Sequence, residues 1–196
     1  MARAARDAHE LRESLLTHAR GIVTRAGVQG LTMRALASEA GTAVGLSYKA
    51  FASRDELLWE LAWESLQELI AQIDDWSERP GGDLATRIME FAELHLDSIA
   101  PDLVDQVSRG PRGDEFLRAA AEAGTTRSWT AVMTAFLRSR QRTGEIREDA
   151  DVQAFGFILT AAIHHVLVTE PPLSVPDRPT LARHIAGVAA LLKASG

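Results

Sequence analysis

All seven prolines fall at or after position 80, at 80, 101, 111, 171, 172, 176 and 179. They punctuate the chain between periodic segments and never interrupt one. No run alternates apolar and polar residues with period two between turn signals, so no strand is expected. Apolar residues recur instead at steps of three and four, as in Leu11, Leu15, Ala19, Ile22 and Ala26, and again in Leu181, Ile185, Val188 and Leu192. The expected fold class is all-α.

The breakers divide that pattern into about nine helices. The first runs from about Ala8 to Ala26 and stops at Gly27 and Gly30. Thr32 caps a second, which carries Leu36, Ala37 and Ala40 and ends at Gly41. A third covers about Val44–Ala50. Ser53-Arg54-Asp55-Glu56 reads as a capping box that opens a long helix to about Ser77. That helix is apolar on two faces, so it is expected to lie between packing partners. Further helices are expected over about Asp83–Ser98, after Pro101, over about Asp114–Thr143 as one element, over about Asp149–Glu170, and around Leu181–Leu192. A boundary at Ser53 gives two domains, residues 1–52 and 53–196.

The formal charge of −6 argues against a polyanionic partner, but it is unevenly spread. Residues 1–54 hold eight Lys and Arg against four acids, and the remainder holds 13 against 23. A basic front on an acidic body suits a protein that offers one end to a polyanion. Cysteine is absent, which removes disulfides, thiolate metal sites and cysteine nucleophiles. No HExxH, P-loop or GxSxG motif occurs, so no enzyme is expected. His164 and His165 are adjacent and point about 100° apart on a helix, so no metal or other cofactor is expected there. The charged start Met1–Ser14 lacks an apolar run, and Val152–Thr169 is too short and too polar for a membrane span, so a cytoplasmic location without membrane contact is expected.

The segment Leu31–Leu58, LTMRALASEAGTAVGLSYKAFASRDELL, is a two-turn helix, a glycine turn, a second short helix and a capped long helix. That is a helix-turn-helix, whose second helix fits a major groove about 12 Å wide. With the first helix packed across it, residues 1–52 make a three-helix headpiece.

Leu31-Thr32-Met33-Arg34, Ala37, Ala40-Gly41, Gly45, Tyr48, Phe51 and Ser53-Arg54-Asp55-Glu56-Leu57 together resemble the DNA-binding signature of the TetR (tetracycline repressor) family. Two positions depart from it: Ser47 replaces an aliphatic residue, and Ala50 a frequent His or other aromatic. The resemblance implies a DNA-binding transcriptional regulator with a C-terminal helical domain for ligand binding and dimerisation. Chemistry and resemblance together assign double-stranded DNA contacts to Thr32, Arg34, Thr42, Ala43, Val44, Gly45, Ser47, Tyr48, Lys49 and Arg54. Arg34, Tyr48 and Arg54 suit phosphate oxygens. Lys49 suits guanine, and the small residues allow close approach. Arg3 and Arg6 suit a minor-groove arm.

A palindromic operator requires two headpieces, hence a homodimer. The segment about 149–170 is too apolar to leave bare. Phe155, Leu159, Ile163 and Val166 are therefore expected at a dimer seam with Leu181, Ile185, Val188 and Leu192, and His165 beside them. The family further implies a small-molecule inducer. Its expected lining is Trp59, Trp63, Leu66, Ile70, Met89, Phe91, His95, Trp129, Met133, Phe136 and Phe155, which favours a hydrophobic or aromatic compound and release of a repressor from DNA. The competing expectation is a helical small-molecule binding or protein-interaction module that binds no operator.

Overall fold

The computed structural model describes residues 2–124, 128–169 and 172–194. Among these residues the fold is all-helical, with ten α-helices. They are α1 (Ala2–Gly30), α2 (Met33–Glu39), α3 (Val44–Ala50), α4 (Arg54–Glu78), α5 (Leu84–Leu96), α6 (Ala100–Ser108), α7 (Gly113–Glu122), α8 (Trp129–Arg142), α9 (Val152–Val168) and α10 (Arg178–Leu192). The count exceeds the expected nine because the stretch 114–143 is two helices. α7 ends at Gly124, whose φ of 69° no continuing helix adopts, and Ser128 restarts the chain by capping Ala131. No described helix is long and apolar enough to cross a membrane.

The chain forms two compact units, Met1–Leu69 with Ser98–Thr125, and Ile70–Asp97 with Thr126–Gly196. In the first, α1 kinks at Gly27 (φ 67°) and packs with α2 and α3. Leu15, Leu31, Leu36, Phe51, Leu57, Leu61, Leu103 and Phe116 are buried in one continuous core. Burying such side chains contributes roughly 1.5–3 kcal/mol each. Polar ties sit at the edge of this core. Arg12 donates to Glu56 at 3.1 Å, to Glu60 at 2.6 Å and to the Ala50 carbonyl, and lies 4.5 Å from the Phe51 ring. The backbone is already helical from Ala2, so Arg3 and Arg6 do not stand on an extended arm.

The second unit is held by rings and by close helix contact. α8 and α9 meet where Gly156 faces Thr134: a Cβ on Gly156 would lie 2.3 Å from Thr134 Oγ1. The strand-like segment before α9 pairs with the chain end after α10, with Arg147 N–H donating to Leu192 at 3.0 Å and Ala194 N–H to Glu145 at 3.1 Å. Ion pairs Lys193–Asp83 (3.0 Å) and Arg178–Asp97 (2.5 Å) tie α10 to the two ends of α5. Arg87, only 2% exposed, donates to Glu90 at 2.6 Å and to the Trp76 carbonyl, while the Trp76 indole donates back to the Arg87 carbonyl at 2.9 Å. Paired in this way, the buried guanidinium avoids the cost of an isolated buried charge.

Candidate functional site

The turn between α2 and α3 is set by local chemistry. Thr32 Oγ1 accepts from Ala35 N–H at 3.0 Å and opens α2. Gly41 takes φ 63°, its N–H bonds the Ser38 carbonyl, and Thr42 N–H bonds the Ala37 carbonyl at 2.9 Å. These two bonds are a Schellman closure, which needs a left-handed residue at Gly41. α3 then starts at once. Its exposed side carries Ala43, Val44, Gly45, Tyr48 and Lys49, with Tyr48 54% exposed. Positions 44, 45, 48 and 49 share one helical face. The opposite side packs inward.

Two expected contact residues are not on that face. Ser47 is fully buried, because it lies about half a turn from Gly45 and Lys49, among the headpiece helices. Arg54 turns back into the fold: its Nε donates to the Leu31 carbonyl at 2.5 Å and its Nη2 to Val28 at 2.8 Å, satisfying carbonyls where α1 ends. Thr42 is half-buried, with its hydroxyl covered and unpaired. Thr32 and Arg34 are exposed. The basic excess of the front is largely spent within the fold, since Arg12, Arg20 and Arg25 pair with Glu56 and Glu60, Glu68 and Glu39. Arg34 and Lys49 make no ion pair among the described residues. The arrangement is a bare, small-residue helix face with one tyrosine and unpaired cations beside it, suited to a phosphate-lined groove. The side chain of Arg3 lies outside the described residues, and Arg6 is exposed.

The expected ligand-lining residues separate into two groups. In the first unit, Trp59 and Trp63 stack at 5.6 Å and both meet Phe116 edge-on, with Leu66 against the same core. In the second unit a chain of rings runs Phe136–Trp76–Phe91–His95–Trp129, with centroid spacings of 4.7, 4.9, 4.4 and 3.9 Å. Met133 is fully buried there, whereas Ile70, Met89 and Phe155 are half-buried. The sequence reading missed Trp76 and Arg87. Arg87 carries no local signal of burial, since its partners Trp76 and Phe136 come from distant helices. Burial holds the His95 imidazole below its ordinary pKa, opposed in part by its bond to the Phe91 carbonyl.

Residues 15–61 match the model described as bacterial regulatory proteins, tetR family. This segment is a DNA-binding domain of the tetR family. The helix-turn-helix of α2 and α3 lies inside the matched segment, which makes it a DNA-binding element. No curated protein sequence matches the chain. Solved structures with the same fold include the ketosteroid transcriptional regulator KstR2 of Mycobacterium tuberculosis, 20% identical, with 94% of this chain and 95% of that chain covered and a TM-score of 0.60. A transcriptional regulator from Saccharomonospora viridis, in complex with choline, is 20% identical over 93% of this chain and 96% of its own, TM-score 0.67. A TetR-family regulator from Agrobacterium tumefaciens is 17% identical over 95% and 100%, TM-score 0.67.

Most of the side chains expected at a dimer seam lie inside the fold. Leu159, Ile163, Leu181, Ile185 and Leu192 are buried within their own unit, none more than 4% exposed. Phe155, Val166 and Val188 are half-buried. The bare apolar side chains are Phe157, Ile158, Val168 and Leu191, from 53% to 66% exposed. α9 is apolar on every side, so periodicity could not say which face turns inward. His165 is exposed on the same side as Ile158. An apolar groove of about 280 Å³ between α9 and α10 is lined by Ile158, Ala162, His165, Pro176, His184 and Val188, among others. Among the described residues, no group of three or more His, Asp or Glu is placed to hold a metal ion.

Proposed function

We propose that this chain is a homodimeric, ligand-responsive repressor that acts in the cytoplasm and reads a palindromic operator. The observation that carries this reading is the face of α3: Val44, Gly45, Tyr48 and Lys49 exposed on one side while Ser47 anchors the other. Residues 1–52 are assigned to DNA binding and 53–196 to ligand binding and dimerisation. Lys49 donates to a guanine, and Tyr48 and Arg34 hold phosphates. Thr32 Oγ1 already accepts from Ala35, and its own proton is left to donate to a phosphate. Ala43, Val44 and Gly45 let the helix approach the base edges. Ser47 and Arg54 have structural roles instead.

A second copy of the chain covers the bare side of α9 and α10. Phe157, Ile158, Val168 and Leu191 form an apolar surface too large to leave in water, and Gly187 on the same side of α10 allows close approach. The two copies then present recognition helices about 34–36 Å apart. A small, hydrophobic or aromatic effector lodges in the ring-lined interior of the second unit, and α4, one helix from Arg54 to Glu78, is one of the places where the chain passes between the units. The effector releases DNA only if it binds better to the conformer whose headpiece spacing misfits the operator. The choline complex of the Saccharomonospora viridis regulator supports a ligand-binding role for this fold.

Footprinting on the promoter region beside the gene, over a salt series, tests the reading. Lys49→Ala is expected to cost about 1–3 kcal/mol and to relax specificity at its base pair, whereas Arg34→Ala lowers the salt slope by about one with little change in specificity. A chain with unchanged affinity and salt slope in Tyr48→Ala, Lys49→Ala and Arg34→Ala overturns the assigned face.

A further inference from the structure

Among the described residues of the second unit, Arg87 Nε, Thr134 Oγ1 and His95 Nε2 are buried without a hydrogen-bond partner, and His95 Nε2 is the one set between aromatic rings. His95 is fully buried. Its Nδ1 lies 2.8 Å from the Phe91 carbonyl, which can only accept, so Nδ1 carries the proton. A neutral imidazole then has a lone pair on Nε2, and Nε2 is buried without a hydrogen-bond partner. The ring is flanked by Phe91 at 4.4 Å and by Trp129 at 3.9 Å. No ion pair to His95 occurs among the described residues. Folding alone gains nothing from an acceptor in this place, because an apolar ring of the same size would fill it without desolvating a lone pair.

We propose that His95 Nε2 is the hydrogen-bond acceptor for an uncharged effector that carries a hydroxyl or N–H donor on an aromatic body. This rests on the reading that the second unit holds the effector. Phe91 and Trp129 supply the faces for the ring, and Trp129, half-buried, is the member of the ring chain that reaches the surface beside His95. The geometry selects against carboxylates: at neutral pH they have no proton to give to a lone pair on Nε2. Burial, which keeps the imidazole neutral, preserves its lone pair for this use.

Phenol and toluene are the probes, since they differ by a hydroxyl in place of a methyl. Their dissociation constants are read from tryptophan fluorescence of the full-length chain, and operator release is measured separately with the same compounds. His95→Phe is expected to raise the dissociation constant of phenol about tenfold and to leave that of toluene within about threefold. A second measurement needs no variant: with 15N-labelled histidine, phenol shifts the Nε2 resonance of His95 and toluene does not. The assignment is overturned if toluene moves that resonance equally, if a folded His95→Phe chain keeps its full affinity for phenol, or if neither compound binds. If both compounds release DNA without moving Nε2, the effector reading stands and the His95 assignment falls. If phenol binds through Nε2 and DNA stays bound, the site stands and the effector reading falls.

Discussion

Gly45 and Gly156 both lie inside helices, and the surroundings of each are opposite. A Cβ on Gly45 would meet nothing within 4 Å, whereas one on Gly156 would strike Thr134 Oγ1 at 2.3 Å and its backbone at 3.2 Å. The glycine of α3 keeps a surface bare for something outside the chain. The glycine of α9 admits a neighbouring helix of the same chain. A small residue in a helix therefore has two meanings, approach from without and packing from within, and the spacing of the residues around it does not separate them.

Alanine at each position turns the contrast into a measurement, and it is the largest effect expected. Gly156→Ala is expected to lose about 2 kcal/mol through overpacking against α8. Gly45→Ala is expected to gain roughly 0.5–1 kcal/mol, because alanine loses less backbone freedom in a helix. At roughly 2–4 °C per kcal/mol for a chain of this size, melting temperatures move in opposite directions. Two shifts of the same sign would break the comparison.

The headpiece was legible because its signals act within a few residues. Thr32 caps the N–H three positions on, Gly41 closes its turn with Thr42, and Glu56 accepts from Ala52 at 2.7 Å while Ser53 accepts from Glu56 N–H. The Ser53 half of the box forms where it was expected, and the Glu56 carboxylate reaches one residue further back, to Ala52. Legibility failed where the deciding partner was distant. Arg54 looked like a phosphate ligand until Leu31 and Val28 supplied its acceptors. The helix pattern ran on across Gly124, and the positive φ at that glycine together with the Ser128 cap marks the break. Leu159 and Ile158 are adjacent and equally apolar, yet one is 3% and the other 53% exposed. Composition cannot rank them; the packing of α8 and α5 against α9 does.

The two regions also lose stability in different pH windows. In the folded chain His95 has a depressed pKa because burial disfavours its cation. Its contribution is therefore complete above the unfolded value of about 6.5 and is lost as pH falls below that, because the unfolded chain binds a proton that the folded chain refuses. In the headpiece the Glu56 carboxyl is held low, first by the Ala52 N–H and then by Arg12, against a desolvation cost. Its contribution is complete above about 4.5 and is lost as pH falls through the lower folded value. Acidification from pH 7 to 5 is thus expected to loosen the second unit first, and further acidification the headpiece. Thermal melts over this range check it: His95→Phe flattens the upper part of the curve, and Glu56→Gln the lower. Equal flattening by either variant across both windows would show that the units do not titrate separately.

The smallest expected effect gives the sharpest test of which way α3 faces. Ser47 is fully buried, and its hydroxyl has no hydrogen-bond partner. An unpaired buried hydroxyl opposes folding, so removing it should help, and alanine also suits the helix interior better than serine. Ser47→Ala is therefore expected to raise stability by about 1 kcal/mol. Operator affinity should stay within about twofold, since each good base contact is worth roughly 1–3 kcal/mol and Ser47 makes none from the interior. Lys49, two residues on, is the control, because its loss should reduce affinity without changing stability. If Ser47→Ala instead weakened operator binding in a chain that melts no lower, the hydroxyl would have to turn outward on DNA. The inner and outer sides of α3 would then have to be exchanged, and with them the contacts assigned to Val44 and Tyr48.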